Sequence, residues 1–303
     1  MLNPNIDTHD LRTSVLRRVW HAVLVTPALL LAACDTPQRD IEKPYSDVAE
    51  ISAWFYHMLL IVVSIIMFIV AAWFLYSVVK FRRKPGDDTM PPQTHGHTQL
   101  EIIWTIIPTI IVIAITIPTI QGIFELEKPP AEGEEVVLIN VTGKQWWWEY
   151  DYMDPADPSK IMFSTANEMH VEEGTTVHME VTSADVIHAF WVPNLTGKRD
   201  ATPGRRYPMY FKPNKVGEFI GQCAELCGAS HALMGIKVFV HPKEGTDSYD
   251  NWVAAQLKPA ELPTSPIEEE GKRLFIAKGC MRCHNVKGDA RTELHHRARR
   301  WET

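Results

Sequence analysis

Four side chains that bind soft metal ions lie close together in the C-terminal half of this sequence. Thiols occur at Cys223 and Cys227, an imidazole follows at His231, and a thioether follows at Met234. Thiolate, imidazole and thioether ligands select copper far better than magnesium or calcium. His188, on a predicted strand upstream, offers one more imidazole. Two bridging thiolates with one imidazole for each metal would hold two copper ions, with Met234 and a backbone carbonyl between the cysteines as weak axial ligands.

The two cysteines also allow two other interpretations. In an oxidising compartment Cys223 and Cys227 could form a structural disulfide, which would leave His231 and Met234 without a role. Zinc could instead bind Cys223, Cys227 and His231. Neither alternative accounts for Met234, because a thioether is a poor zinc ligand, and the pattern therefore favours copper.

A second cysteine pair lies near the C-terminus and has a different spacing. Cys280 and Cys283 are followed at once by His284, the pattern at which haem is covalently attached in c-type cytochromes. Residues 267–278, just before it, have helical composition. Only 19 residues follow His284 and none is methionine, so the usual sixth haem ligand is missing. We therefore expect an incomplete cytochrome c-like segment over 267–303, truncated or frameshifted, with haem c at Cys280, Cys283 and His284.

The fifth cysteine, Cys34, ends a segment that has the features of a bacterial export signal. Arg17 and Arg18 precede an uncharged run over residues 19–33, which ends Leu-Ala-Ala-Cys34. This ending resembles the box at which bacterial lipoproteins are cleaved and their cysteine acylated. The alternative is an ordinary signal cut near Ala33, which would leave a free thiol. We predict lipidation of Cys34, because an exported lone thiol is reactive.

Two long uncharged stretches follow, and each is long enough to cross a bilayer. Ile51 to Val79 and Ile102 to Phe124 contain no Asp, Glu, Lys or Arg, and both exceed the roughly 20 residues that a spanning helix needs. The loop between them begins with a basic run from Lys80 to Lys84, whereas the outer flanks are acidic. The positive-inside rule therefore predicts a transmembrane hairpin in a bacterial inner membrane, with everything after Glu125 on the periplasmic side.

Composition limits the remaining possibilities. The chain has 303 residues, of which 46% are hydrophobic and 22% are charged, so it is long enough for at least two folded units and is not a disordered protein. The formal net charge is −7. A chain with this charge has no basic footprint, and nucleic acid is therefore not an expected partner.

The half of the sequence after Glu134 contains short β-rich runs separated by turn residues. Many short strands over about 110 residues predict a β-sandwich or small barrel. The polar, proline-bearing segment 242–266 is predicted to be a linker with one short helix around Tyr249 to Leu257. The predicted strands are Val136 to Thr142, Gln145 to Tyr152, Thr175 to Thr182, Val186 to Trp191, Glu218 to Gln222 and Gly235 to Val240.

From about Asp47 to Val240 the sequence resembles subunit II of the haem-copper cytochrome c oxidases. The resemblance rests on the hairpin, the motif Gln-Trp-Trp-Trp-Glu-Tyr over 145–150, and the spacing Cys-x3-Cys-x3-His-x2-Met. It implies a Greek-key cupredoxin sandwich carrying the binuclear copper centre CuA. The implied copper ligands are His188, Cys223, Glu225 through its carbonyl, Cys227, His231 and Met234.

The resemblance also implies a domain organisation and partners. The chain would pass electrons from cytochrome c to a catalytic subunit I, with a subunit III in the same membrane complex, which reduces oxygen and pumps protons. The Glu225 carboxylate would bind magnesium at the boundary with subunit I. The expected segments are a signal peptide over 1–33, an arm and hairpin over 34–125, a copper domain over 126–241, a linker over 242–266 and the cytochrome c-like tail over 267–303.

Two further residues acquire roles from the resemblance. Trp146 resembles the tryptophan through which electrons enter, although aromatic residues on a strand commonly fill a sandwich core. Glu101 resembles a glutamate at the mouth of a proton channel that runs into subunit I. A carboxylate is favoured there in any case, because it lies at a helix N-terminus and at the aqueous interface.

Three other functions compete with this interpretation. A nitrous-oxide-reductase-like CuA carrier is disfavoured by the membrane hairpin and by the lack of a second catalytic domain. A lipoprotein that binds or delivers copper is disfavoured by the aromatic motif and the paired ligand set. A quinol oxidase subunit is disfavoured because that branch of the family lacks the copper ligands, which are intact here.

Overall fold

Two long apolar helices begin the described part of the chain. The computed structural model describes residues 40–83, 86, 90, 92–93, 95–259, 261, 263–280 and 284, so the predicted signal peptide, Cys34 and Cys283 lie outside it. Helix α1 spans Asp47–Lys80 and helix α2 spans Thr98–Leu126. Both are long and apolar enough to cross a membrane.

The helices are longer than the uncharged stretches because charged residues form their ends. Ser46 caps α1 by accepting a hydrogen bond from the backbone N–H of Ala49, and Asp47 and Glu50 lie in the first turn. Acidic residues are favoured there and Lys80 is favoured in the last turn, since the helix dipole is positive at its N-terminus and negative at its C-terminus. The predicted hairpin is therefore confirmed with wider bounds.

The segment after α2 forms a β-sandwich, as predicted. One sheet has five strands in the order β3-β2-β1-β5-β8, a second has three in the order β4-β10-β9, and β6 pairs with β7 alone. The pairs β1–β5 and β4–β10 are parallel and the others antiparallel. The strands are β1 Val136–Lys144, β2 Trp147–Asp154, β3 Asp157–Ala166, β4 Glu168–Glu172, β5 Thr176–Ser183, β6 His188–Phe190, β7 Arg199–Ala201, β8 Tyr207–Phe211, β9 Gly217–Gln222 and β10 Gly235–His241.

The core lies between the two larger sheets and is filled by alternate residues of their strands. This alternation follows from the two-residue repeat of a strand, which places every second side chain on the same face. On β1 the buried hydrophobic residues are Ile139 and Val141, and on β2 they include Trp148, Tyr150 and Tyr152. The opposite sheet contributes Met169, Val171, Ile236, Val238 and Val240.

Two strand predictions were wrong in detail, and four strands were missed. Gln145 and Trp146 lie in a turn and β2 begins only at Trp147, while the run predicted from Val186 pairs only from His188. The missed strands include β3 and β8, which are the two edges of the five-stranded sheet and contain Pro158 and Pro208. Proline is tolerated on edge strands, but in a sequence it indicates a turn. The strands missed entirely are β3, β4, β7 and β8.

The chain just before α1 is tied to the sandwich by buried hydrogen bonds. The Asn194 side chain donates to the carbonyls of Asp40 and Lys43, at 2.8 Å each. The backbone N–H of Tyr45 donates to the Asn194 carbonyl at 2.8 Å, and the Ser46 hydroxyl donates to the Leu195 carbonyl at 2.6 Å. The membrane helix and the soluble domain are therefore joined at a second place besides the covalent link after α2.

The predicted short helix is confirmed as α3, Tyr249–Leu257, and it packs on the sandwich through stacked rings. The Trp252 ring stacks on His170 with centroids 4.1 Å apart, and His170 Nδ1 lies 2.8 Å from His241 Nε2. Burial and the neighbouring His241 lower the pKa of His170 to about 4, so this ring is neutral near neutral pH.

The helical segment predicted before Cys280 is confirmed as α4, Pro266–Ala277. It begins with a capping box in which Ser265 and Glu268 exchange hydrogen bonds. None of the side chains of α4 is buried in the described part of the chain.

Candidate metal centre

The predicted ligand segment is a loop whose two ends are joined by the pairing of β9 with β10. Gly235 lies opposite Gln222 in that antiparallel pair, and the backbone N–H of Cys223 donates to the Met234 carbonyl at 3.0 Å. His231 begins a single 3₁₀ turn that leads into Met234. The first and last ligands of the segment are therefore neighbours across a hairpin.

Strand β6 is hydrogen-bonded to the start of this loop. The backbone N–H of Gln222 donates to the Trp191 carbonyl at 3.0 Å, and that of Ala224 donates to the Ala189 carbonyl at 2.9 Å. These two bonds flank Cys223 and place it beside His188, the first residue of β6.

The segment after β6 and strand β9 approach each other so closely that only glycine fits at position 221. A Cβ atom added to Gly221 would lie 2.4 Å from the Trp191 carbonyl oxygen and 2.8 Å from a Val192 methyl carbon. Real Cβ contacts essentially never fall under 3.0 Å. The glycine therefore permits the backbone contact that seats the ligand loop on β6.

All six predicted ligand groups converge in the structure. The two cysteine Sγ atoms are 3.8 Å apart and are not bonded to each other. Cys223 Sγ lies 3.9 Å from His188 Nδ1 and 3.3 Å from the Glu225 carbonyl oxygen. Cys227 Sγ lies 3.5 Å from His231 Nδ1 and 3.8 Å from Met234 Sδ.

The donors divide into two sets, and this division fits two metal ions better than one. Cys223 has an imidazole and a carbonyl as neighbours, while Cys227 has another imidazole and a thioether. The ligand atoms of His188, Cys223 and Cys227 all lie within 4.8 Å of one another, and the three residues are buried. Soft donors in a dry pocket fit copper, and a four-coordinate zinc would leave part of the set unused.

The Cys227 thiol resists ionisation. Burial and the adjacent Cys223 raise the pKa of Cys227 to about 11. Metal ligation requires the thiolate form, so a metal entering this pocket must displace protons.

In the described part of the chain, the side chains of Gln145, Trp146 and Asp185 hydrogen-bond to residues of the ligand set, and Gln145 and Asp185 were not predicted as site residues from the sequence. Trp146 lies in the turn before β2, half-buried, and its Nε1–H donates to the Cys227 carbonyl at 3.1 Å. Gln145 Nε2 donates to the same carbonyl at 2.8 Å. Asp185 Oδ1 lies 2.8 Å from His188 Nε2. An acidic residue three positions before a candidate ligand histidine was a signal that the sequence did contain.

The other predicted site residues lie apart from the metal centre. Glu101 is in the first turn of α2, where its Oε1 accepts a hydrogen bond from the backbone N–H of His97 at 3.3 Å. This contact gives the carboxylate a role at the helix end. Cys280 is exposed, and its carbonyl accepts from the backbone N–H of His284 at 2.9 Å. The Glu225 side chain is exposed beside the metal pocket.

The models of two domains of one protein family match separate parts of the chain. Residues 40–121 match the transmembrane domain of cytochrome c oxidase subunit II, and residues 156–240 match its periplasmic domain.

Individual proteins agree with these matches. The chain is 39% identical over 241 residues to cytochrome c oxidase subunit 2 of Alkalihalophilus pseudofirmus, covering 78% of this chain and 68% of that protein. It is 32% identical over 234 residues to quinol oxidase subunit 2 of Bacillus cereus, covering 74% and 75%. The crystal structure of the periplasmic domain of subunit II of cytochrome oxidase of Bradyrhizobium japonicum is 36% identical, with a TM-score of 0.36, and covers 42% of this chain and 95% of that one.

Replacing Gly221 by alanine is expected to lower the free energy of unfolding of the soluble domain by about 2 kcal/mol, because the methyl group must displace backbone. Urea unfolding of the detergent-solubilised chain, followed by tryptophan fluorescence, measures the change. Gly235→Ala is the matched control, since the position lies on the paired strand and a Cβ there meets nothing within 4 Å. Equal losses in the two variants would contradict the proposed contact.

Proposed function

Since the chain belongs to the cytochrome c oxidase subunit II family, it is a subunit of a haem-copper oxidase complex, and we propose that it receives electrons from a cytochrome c. It is anchored in the membrane and carries a periplasmic domain. We propose that electrons pass through a binuclear CuA centre to the catalytic subunit I, with subunit III in the same complex. The proposed copper ligands are His188, Cys223, the Glu225 carbonyl, Cys227, His231 and Met234.

The observation that carries this proposal is the division of the donors into two similar sets around two neighbouring sulfurs. Each set has one imidazole and one weaker donor, and the sulfurs are 3.8 Å apart. When bound, a copper pair bridged by two thiolates would take up and release one electron at a time.

The chain itself contributes rigidity and exclusion of water. The ligand loop is held by β-pairing at its base and by the two backbone bonds to β6. His188, Cys227 and Met234 are buried. Such a pocket keeps its ligands in one arrangement, which suits a group that must change charge without reorganising.

We propose Trp146 as the residue through which electrons enter. Its indole is half-buried, and its N–H donates to the carbonyl of the ligand Cys227. A π-system in direct contact with the ligand backbone provides a short route from the protein surface to the pocket. The turn that carries Trp146 leaves part of the ring accessible, which a position in the middle of a strand facing the core would not.

The surface beside the pocket suggests where the catalytic subunit docks. Leu226 and Leu233 flank the ligands and are 78% and 84% exposed. Exposed apolar residues grouped at a functional site indicate a protein interface. The Glu225 carboxylate lies on the same exposed stretch, and we propose that it contributes to a magnesium site where subunit I covers this face.

The donor is proposed to be cytochrome c, although quinol oxidase relatives are also similar to this chain. The complete set of soft donors favours a copper centre and therefore a one-electron donor. Rapid reduction of the copper-loaded protein by cytochrome c would also exclude a role limited to copper delivery.

Cys223→Ser is expected to abolish the binuclear centre, because one of its two bridging thiolates is lost. Copper content by mass spectrometry should fall below two ions per chain, and the optical and EPR spectra of the centre should disappear. Cys280→Ser is the matched control for copper content and for the copper EPR signal, since this exposed cysteine lies outside the pocket. An unchanged copper spectrum in the Cys223 variant would overturn the assignment.

We propose that Glu101 lies at the mouth of a proton path into subunit I. Glu101→Ala in the assembled oxidase is expected to slow oxygen consumption several-fold, while reduction of copper by cytochrome c keeps its wild-type rate. Glu101→Gln separates the two roles, because the amide oxygen can still accept from the His97 N–H but cannot release a proton. Slow turnover in both variants supports the proton role, whereas restored turnover with glutamine assigns Glu101 to helix capping alone.

We also propose covalent haem attachment at Cys280 and Cys283, with His284 as an axial ligand. The described part of this motif follows α4 directly, and the His284 N–H bonds to the Cys280 carbonyl as in a helical turn. Expression in cells competent for cytochrome maturation should give an intact mass one haem above the polypeptide. The bare polypeptide mass would leave copper as the redox group of the chain. Lipidation of Cys34 remains a prediction. The same intact-mass measurement would detect the added mass of the acyl groups.

A further inference from the structure

Asp185 lies between β5 and β6, and its carboxylate contacts two parts of the chain that meet at the metal pocket. Oδ1 lies 2.8 Å from His188 Nε2, and Oδ2 accepts from the backbone N–H of Gln145 at 2.7 Å. The backbone N–H of Val186 and the hydroxyl of Ser183 also donate to Oδ1, at 2.6 Å and 3.4 Å. These donors hold the carboxylate in one orientation.

The contact with His188 determines which ring nitrogen is free for a metal. An ionised carboxylate can only accept hydrogen bonds, so His188 Nε2 must carry the proton. Nδ1 is then left as a lone-pair donor, and it is the nitrogen that faces Cys223 Sγ at 3.9 Å. A carboxylate on the distal nitrogen also makes an imidazole a stronger metal donor.

The His188 ring is held from a second side as well. It is fully buried, and a Cβ atom added to Gly143 would lie 2.9 Å from its Cδ2. The ring therefore packs directly against the β1 backbone, while Asp185 fixes its edge. Rotation of the imidazole would break the carboxylate bond and collide with the strand.

The contact with Gln145 reaches the other half of the pocket. The backbone of Gln145 is anchored on Asp185, and its side chain donates to the Cys227 carbonyl at 2.8 Å. Trp146, the next residue, donates to the same carbonyl. One carboxylate thus joins the His188 side of the pocket to the turn that grips the Cys227 side.

The second imidazole is in a different environment. His231 is half-buried, and among the residues that the structure describes none places a carboxylate on its ring. The negative charge of Asp185 therefore acts on one imidazole of the pair. The two halves of the pocket are similar in their donor atoms but unequal in their surroundings.

We propose that Asp185 is a positioning residue of the copper centre, which fixes the tautomer of His188 and holds the Gln145–Trp146 turn on Cys227. This inference rests on the proposed function, because it assumes that the pocket binds copper. The Asp185 side chain contacts the ligand set at His188, and it would act on the metal through that ring. The carboxylate makes the two halves of the centre inequivalent.

The test is copper retention by the full-length chain in detergent, measured by competition with a chelator. Asp185→Ala and Asp185→Asn are expected to weaken retention 10- to 100-fold, the usual effect of losing an outer-shell partner of a ligand histidine. Asp157→Asn is the control, because this carboxylate lies on β3 at the edge of the five-stranded sheet and bonds the nearby Ser159 and Lys160. Retention within twofold of wild type in both Asp185 variants would overturn the proposal.

A spectroscopic measurement separates positioning from general loss of structure. In the Asp185→Asn protein, the nitrogen hyperfine coupling of one ligand histidine should change while that of the other stays the same. Gln145→Ala keeps the backbone bond to Asp185 and removes the Gln145 side-chain bond to the Cys227 carbonyl, so it should leave the His188 coupling unchanged. Equal changes in both couplings of the Asp185 variant would contradict the inference. Failure of the wild-type chain to bind two coppers would instead contradict the proposed function.

Discussion

Two backbone hydrogen bonds between β6 and the ligand loop hold the metal centre together. His188 and Cys223 are 35 residues apart, and β6 is a three-residue strand that belongs to neither large sheet. The bonds from Gln222 and Ala224 to the carbonyls of Trp191, just after β6, and Ala189, within β6, bring these candidate ligands into contact. The close approach at Gly221 lies beside these two bonds, and the His188 ring packs on the β1 backbone at Gly143.

The same stretch of chain also connects the pocket to the membrane. Four residues after β6, Asn194 and its neighbour Leu195 bind the segment that leads into α1. Strand β6 is thus anchored to the ligand loop on one side and, through its continuation, to the segment before α1 on the other. This arrangement links the position of the pocket to the position of α1, a helix of the membrane anchor.

The sequence predicted which donor side chains lie together better than it predicted the strands around them. Cys223, Cys227, His231 and Met234 were predictable because their spacing is local, and the two helices because hydropathy reports directly on membrane insertion. Residues that act through distant partners left almost no local signal. Gln145 is one example, since its amide reaches a carbonyl 82 positions away. The edge strands were missed for a related reason. In a sequence, proline and polar residues indicate a turn, and only the position of the neighbouring strand shows that they belong to the edge of a sheet.

The burial of Cys227 in this pocket favours its neutral thiol form. Burial and the adjacent Cys223 raise the pKa of Cys227 to about 11, so this thiol is uncharged near neutral pH. Neutral thiols pack as small apolar groups, and the sandwich can close around them without an unpaired buried charge. A metal cation would reverse this preference. It would displace the thiol protons and compensate the negative charge of the resulting thiolates. The low-dielectric surroundings that keep the Cys227 thiol neutral would therefore also strengthen the attraction between the thiolates and a bound cation.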